Sequence, residues 1–387
     1  MKVWFSADDC DLEAFIDSLK DAEQAAPPTD LASHVSRGIP VYDCTKLNPR
    51  ISDDRFRATM MQEWALALSR GAGVIILQSC FQDHGPIDSA NVIFEEIMTE
   101  QRRAGTAVGD HFAKPGSNER IWNALEKLCL TSPEVFADYY SNVMVALVCE
   151  SWLGPNYQMT SQTNLVNPGA EGQTAHRDYH LGFQSAEEAA FYPAAAHRFS
   201  PHLTLQGGVA HCDMPLKSGP TKFLPFSQHY EPGYLAYREP EFRQYFDEHF
   251  VQLPMQKGDA VFFNPATFHG AGENSSQDVR RLANLLQVSS AFGRAMESVN
   301  RQEMSERLYP VLLGRWQRKM ISEEEIVAAV SACAEGYPFP TNLDLDPPLN
   351  GLAPKSQADI MLAALERGLK QDTFAQELAE HAARRNS

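Results

Sequence analysis

No C-x-x-C pair occurs among the seven cysteines, and their number is odd, so they read as reduced, mostly buried thiols of an intracellular protein. Long apolar runs are also missing. The longest, around residues 74–77 and 143–149, are far too short to span a bilayer. Basic residues are scarce: 33 Lys and Arg stand against 50 Asp and Glu, a net charge of −17. That balance excludes a nucleic-acid or anionic-membrane surface, but it leaves room for a small anionic ligand in a local basic pocket. The opening MKVWFSADDCDLEAF has no apolar h-region, so no secretory signal is expected and the default compartment is the cytoplasm. Internal repeats and low-complexity stretches are absent as well.

What is present is an ordinary globular composition, 43% hydrophobic and 21% charged, long enough to bury a full core. Residues 1–38 read as a peripheral segment with one acidic helix (12–25) stopped by two prolines. Helical spacing follows at 56–68, 87–103 and 133–152, with a buried strand at 74–77 after Gly71-Ala72-Gly73. From about 157 to 290 the character changes to short β-prone runs: 159–166, 203–209, 223–225, 260–263 and 282–289. Gly, Pro and Asn turns separate them, the pattern of a barrel or jelly roll. Beyond 300 the chain returns to helix. Ser322 and Glu325 form a capping box, and a proline-rich loop over 336–354 precedes helices at 356–369 and 372–385. The expected organisation is a peripheral segment 1–38, a main domain 39–300 and a helical extension 301–387. A loop of that length suits a lid or a clasp onto another subunit, which makes the extension a candidate for pairing two copies of the chain.

The strongest chemical signal is His176-Arg177-Asp178, with His269 and Arg280 further along. Two imidazoles and a carboxylate can occupy one face of an octahedral Fe(II), leaving the other face open. An arginine offers a fork for the carboxylate of an oxo-acid. The triplet itself is a weak signal, since chance alone predicts about 1.6 H-x-acid triplets in this composition. Three occur, the others being His211-Cys212-Asp213 and His229-Tyr230-Glu231. On a strand, residues i and i+2 share a face, so either of the first two could present both ligands to one metal. Spacing leaves that choice open. His269 ends an apolar run and is followed by Gly270 and Gly272, which permit close approach.

Four segments in order resemble the phytanoyl-CoA dioxygenase family of Fe(II)/2-oxoglutarate oxygenases, from about residue 73 to 288. GVIILQSCF with the helix after it matches the family's opening strand and helix. NPGAEGQTAHRD, SGPTKFLPFSQH and FHGAGENSSQDVRR match its H-x-D, G-P loop and distal-histidine segments. The resemblance implies a mostly β core, a double-stranded β-helix (jelly roll, cupin-like), with flanking α-helices. It implies that His176, Asp178 and His269 ligate iron and that Arg280 pairs with the far carboxylate of 2-oxoglutarate; strand neighbours face opposite ways, so the adjoining Arg281 is expected to be a solvent-facing charge. Thr163 is the weaker cosubstrate candidate, with Asn164 as its alternative if the alternation is out by one. Asp213 becomes a structural aspartate and His229 a loop histidine. Ala271 departs from the hydroxyl residue common two positions after the distal histidine, and Phe226 replaces a loop glycine. Because Asp178 keeps the carboxylate that related halogenases lack, halogenation is disfavoured.

The implied activity is hydroxylation of an unactivated C–H of a small or medium metabolite, with O₂ and 2-oxoglutarate consumed and succinate and CO₂ released. The alternatives are a cupin-like isomerase or lyase that does not use 2-oxoglutarate, and a non-catalytic barrel. Tyr179, Phe183, Phe191 and Tyr192 could line a mouth near the iron or serve as packing. No basic run suggests a CoA nucleotide site, so an acyl-CoA substrate is not carried over.

Overall fold

The computed structural model describes residues 2–107, 109, 116–337, 339–348 and 350–385. Ten strands run in chain order: β1 (His34–Ser36), β2 (Ile39–Asp43), β3 (Val74–Gln78), β4 (Asn118–Ile121), β5 (Gln158–Val166), β6 (Thr204–Ala210), β7 (Lys222–Leu224), β8 (Ala260–Phe263), β9 (Phe268–Gly270) and β10 (Arg281–Ser289). Eight form one sheet in the order β1-β2-β3-β8-β6-β10-β5-β4, and β7 pairs with β9 in a second. Among the pairs with a defined register, only β2 with β3 is parallel. The expectation of a mostly β core needs correcting. The sheet is large and mostly antiparallel, but fifteen α-helices accompany the ten strands among the described residues. The periodic segments outside the β-rich stretch condensed into helices wherever a cap and an apolar stripe coincided.

The chain divides into two compact units. The first comprises Met1–His84, Met98–Ile121 and Thr163–Leu286. Its core holds Val41, Val74, Ile76, Val261 and Phe263 from the large sheet together with Phe223 of β7. The Phe223 and Phe263 rings meet edge-on at 5.0 Å. A second cluster gathers Phe15, Tyr230, Phe242, Phe246 and Phe268. Phe15 is fully buried there, so the helix Leu12–Gln24 of the segment expected to be peripheral helps build the core. Asp53 starts the helix Asp54–Ser69 by accepting from the Arg55 and Phe56 amides. Gly73, at φ +76°, then turns the chain into β3, where a Cβ would strike the Thr267 hydroxyl at 2.5 Å.

The second unit comprises Gly85–Ile97, Trp122–Gln162 and Gln287–Ser387. Its centre is the helix Arg301–Gln317. Arg301 there donates to the carbonyls of Met159, Ala332 and Cys333. Tyr309 stacks on Phe374 at 4.0 Å and donates to the Ala364 and Leu369 carbonyls, which fixes the last two helices, Gln357–Arg367 and Gln371–Arg385. The Ser322–Glu325 capping box forms as expected. The single helix expected over 133–152 is two, Pro133–Tyr140 and Val143–Leu153, because the Asn142 side chain caps the Val145 amide and starts a new helix. The loop expected over 336–354 carries no helix or strand among its described residues; Pro338 and Leu349 lie outside them. No helix among the described residues is long and apolar enough to cross a membrane.

Candidate metal centre

His176 and His269 exchange both backbone hydrogen bonds, 2.9 Å from the His176 amide and 3.1 Å from the His269 amide. Directly opposed residues of an antiparallel pair project to the same face, so the two imidazoles emerge side by side. Their ring centroids are 4.4 Å apart. Asp178, two residues on from His176, returns to that face. The result is a cluster whose three ligand atoms lie within 4.8 Å of one another. The Asp178 carboxylate stands 3.7 Å from His176 Nε2 and 3.5 Å from His269 Nε2.

The orientation of each imidazole is fixed from behind. His176 Nδ1 lies 2.9 Å from the Thr174 carbonyl, and His269 Nδ1 lies 2.8 Å from that of Thr267. A carbonyl can only accept, so Nδ1 carries the proton in both rings and Nε2 presents its lone pair to the cluster. Gln206 of β6 donates its amide to Asp178 Oδ2, and the Tyr234 hydroxyl donates to the Asp178 carbonyl. Burial by itself would raise the Asp178 carboxyl. The His176 and His269 imidazoles and the Gln206 amide outweigh it and hold the group well below the usual carboxylate range. A carboxylate with two pre-oriented imidazoles, each turning Nε2 to the cluster, is the donor set that a divalent transition metal takes. The residues fit Fe(II).

The other two triplets do not join the cluster. His211 is buried, its amide bonded to the Leu282 carbonyl, while Asp213 accepts from the Lys257 amide at 3.0 Å and holds the adjoining loop. His229 lies 3.4 Å from the Gly71 carbonyl, a loop contact.

Arg280 is exposed, and it is its neighbour Arg281 that is buried. Arg281 opens β10, where it shares a strand face with Ala283, and Ala283 packs against the core cluster that includes Phe223 and Phe263. One terminal nitrogen of Arg281 donates to the Ser218 and Gly272 carbonyls. The guanidinium has no carboxylate partner among the described residues, and burial lowers it to about 10. Spacing picked out Arg280, whose side chain lies at the surface, rather than its buried neighbour. Thr163 is fully buried on β5 opposite Ile121, and its hydroxyl has no hydrogen-bond partner. Asn164, the alternative, is buried too, with an unpartnered Oδ1. Of the four aromatics after Asp178, only Tyr179 is buried; Phe183, Phe191 and Tyr192 are exposed.

The sequence profile of the phytanoyl-CoA dioxygenase family matches residues 56–282. Two curated fungal proteins are similar over shorter stretches. Dioxygenase trt7 of Aspergillus terreus is 30% identical over 33% of this chain and 39% of its own length. Dioxygenase andF of Emericella variicolor is 26% identical over 40% of this chain and 50% of its own. These matches span half or less of those relatives' length. Among solved structures, the non-heme alpha ketoglutarate dependent epimerase SnoN from nogalamycin biosynthesis superposes with a TM-score of 0.43. It shares 18% identity over 60% of this chain and 82% of that one. With the family profile covering more than half of its length, the chain belongs to the phytanoyl-CoA dioxygenase family.

Proposed function

We propose that this protein is an Fe(II)- and 2-oxoglutarate-dependent oxygenase that hydroxylates an unactivated C–H of a small or medium organic metabolite. The observation that carries the reading is the convergence of His176 Nε2, His269 Nε2 and the Asp178 carboxylate on one point, each held by its own hydrogen bond. The two sheets then form a jelly roll within a catalytic domain over about 39–300, and the seven cysteines, most of them buried, suit a reducing cytoplasm.

When bound, Fe(II) and 2-oxoglutarate supply the oxidising chemistry, with O₂ and substrate giving hydroxylated product, succinate and CO₂. The chain's own residues supply geometry. Gln206 donates to Asp178 Oδ2 and so would steady the carboxylate that, with His176 and His269, would hold the metal. Arg281 is the better anchor for the far carboxylate of 2-oxoglutarate: a buried guanidinium without a counterion is costly, and a carboxylate fork relieves it. Thr163 offers a hydroxyl still lacking a partner.

The test is an anaerobic titration of Fe(II) and 2-oxoglutarate, read by the visible charge-transfer band. O₂-dependent succinate release across a metabolite library then identifies the substrate. A protein that binds the metal but gives neither band nor succinate would point to an isomerase or lyase instead.

A further inference from the structure

Directly after Asp178 the chain takes a turn that its residues do not favour. Tyr179 stands at φ +66°, ψ +146° and His180 at φ +42°. Neither is glycine, and the first lies close to a region that glycine alone ordinarily occupies. Such a backbone persists only where the surrounding structure holds it.

The holding groups come from one stretch of chain, the helix Gly233–Ala236 and the two residues after it. The Tyr234 hydroxyl donates to the Asp178 carbonyl at 3.1 Å, on the peptide that leads into Tyr179. Tyr237 donates to the Gly182 carbonyl at 2.7 Å. Arg238 donates to the Gly182 and Gln184 carbonyls at 3.0 and 2.8 Å. Gly182 closes the turn by donating its amide to the Tyr179 carbonyl at 2.9 Å. Gly233 lets the stretch come close, since any Cβ there would collide with the Arg177 guanidinium. That guanidinium stands 5.3 Å from the centre of the Tyr234 ring. Tyr234 thus engages both residues that follow His176, its ring against Arg177 and its hydroxyl on Asp178. The residue is fully buried, and burial pushes its phenol up, so it stays protonated and able to donate near neutral pH.

On its other side the Asp178 amide donates to the Pro265 carbonyl at 3.0 Å, so both peptides flanking this residue are tied. Two tied peptides set φ and ψ of Asp178, and with them the direction in which its side chain leaves the backbone. Gln206 acts only on the carboxylate at the end of that side chain. We infer that Tyr234 is a positioning residue for the metal centre. Through the Asp178 main chain it directs the carboxylate to the point shared with His176 and His269, while Tyr237 and Arg238 keep the strained turn from relaxing. This role rests on the reading that the cluster holds Fe(II).

Tyr234→Phe keeps the ring beside Arg177 and removes only the hydroxyl. Fe(II) affinity, read by competition with a calibrated chelator, should fall about tenfold, the usual scale for losing a partner behind a metal ligand. The charge-transfer band of the anaerobic Fe(II)/2-oxoglutarate complex should also shift in wavelength, which a general loss of stability would not produce. Tyr309→Phe is the matched control, because it removes a buried phenol that donates to the Ala364 and Leu369 carbonyls. It should lower the urea midpoint and leave iron affinity and band unchanged. If Tyr234→Phe does not fold, Tyr237→Phe combined with Arg238→Met frees the same turn and should weaken iron binding several-fold. Wild-type affinity and band in a folded Tyr234→Phe, or in the double variant where that one does not fold, overturn the inference. So does an equal loss in Tyr309→Phe. Those outcomes leave the Fe(II) reading standing, whereas a wild type that binds no iron overturns that reading and this role with it.

Discussion

His176 and His269 form an antiparallel bridge, each amide donating to the other's carbonyl, so the backbone itself sets the spacing of the two imidazoles. Truncating either ring leaves those main-chain bonds in place. His176→Ala and His269→Ala should therefore keep the far-UV dichroism of the parent while losing Fe(II) affinity by at least about 100-fold, since a three-ligand site cannot compensate for a missing donor. His211→Ala should retain the metal. Anaerobic Fe(II) titration decides, and loss of iron in His211→Ala alone would assign the wrong triplet.

The two adjacent arginines make a sharper contrast. Arg281 is buried without a carboxylate partner, whereas Arg280 is exposed. Arg281→Leu should raise the KM for 2-oxoglutarate by about 10- to 100-fold, equivalent to the roughly 1.5–3 kcal/mol of a hydrogen bond to a charged group. Arg280→Gln should change it less than about twofold, as an exposed charge contributes little. Steady-state succinate release at varied 2-oxoglutarate gives both numbers, and the reverse ranking would restore Arg280 as the anchor.

This pair also shows where the sequence was legible. The apolar run over β8 and the turn-bounded runs of β5, β6 and β10 were visible because alternation and flanking Gly, Pro and Asn are local signals. Phase within a strand is another matter. A one-residue slip exchanges the faces, so spacing alone could not choose between Arg280 and Arg281. The break at Asn142 was missed because a cap inside an apolar helical pattern competes with that pattern rather than interrupting it. Gln206 was out of reach for a different reason. Its link to Asp178 joins positions 28 residues apart through the sheet, and nothing around Gln206 in sequence marks it.

Gln206 gives the next prediction. Its amide holds one oxygen of the Asp178 carboxylate. Gln206→Leu removes that donor, and about 10- to 100-fold of metal affinity should go with it, the usual effect of losing a partner behind a metal ligand. Gln206→Glu places a second carboxylate against the first and should weaken iron further under the same conditions, unless it takes up a proton. Competition with a calibrated chelator reads the affinity. Equal metal binding in wild type and Gln206→Leu would show that Asp178 is oriented without it.

Glu63 provides a pH-dependent test away from the metal. The residue is 9% exposed, and its carboxylate accepts the Leu31 amide on both oxygens at 3.1 Å. Burial is the largest influence and raises its pKa above the ordinary 4.5, despite the Leu31 hydrogen bond. The folded chain thus holds this proton more tightly than the unfolded chain. The resulting stabilisation is complete below the ordinary value and is lost as the pH rises through the raised one. Glu63→Gln removes this titration, so the stability of wild type relative to the variant should fall as the pH rises from about 4.5 towards neutrality and then level off. Urea unfolding of both proteins across that range measures the difference directly, free of the titrations they share. A difference that stays flat, or one that rises with pH, would mean that the Leu31 amide outweighs burial at this carboxylate.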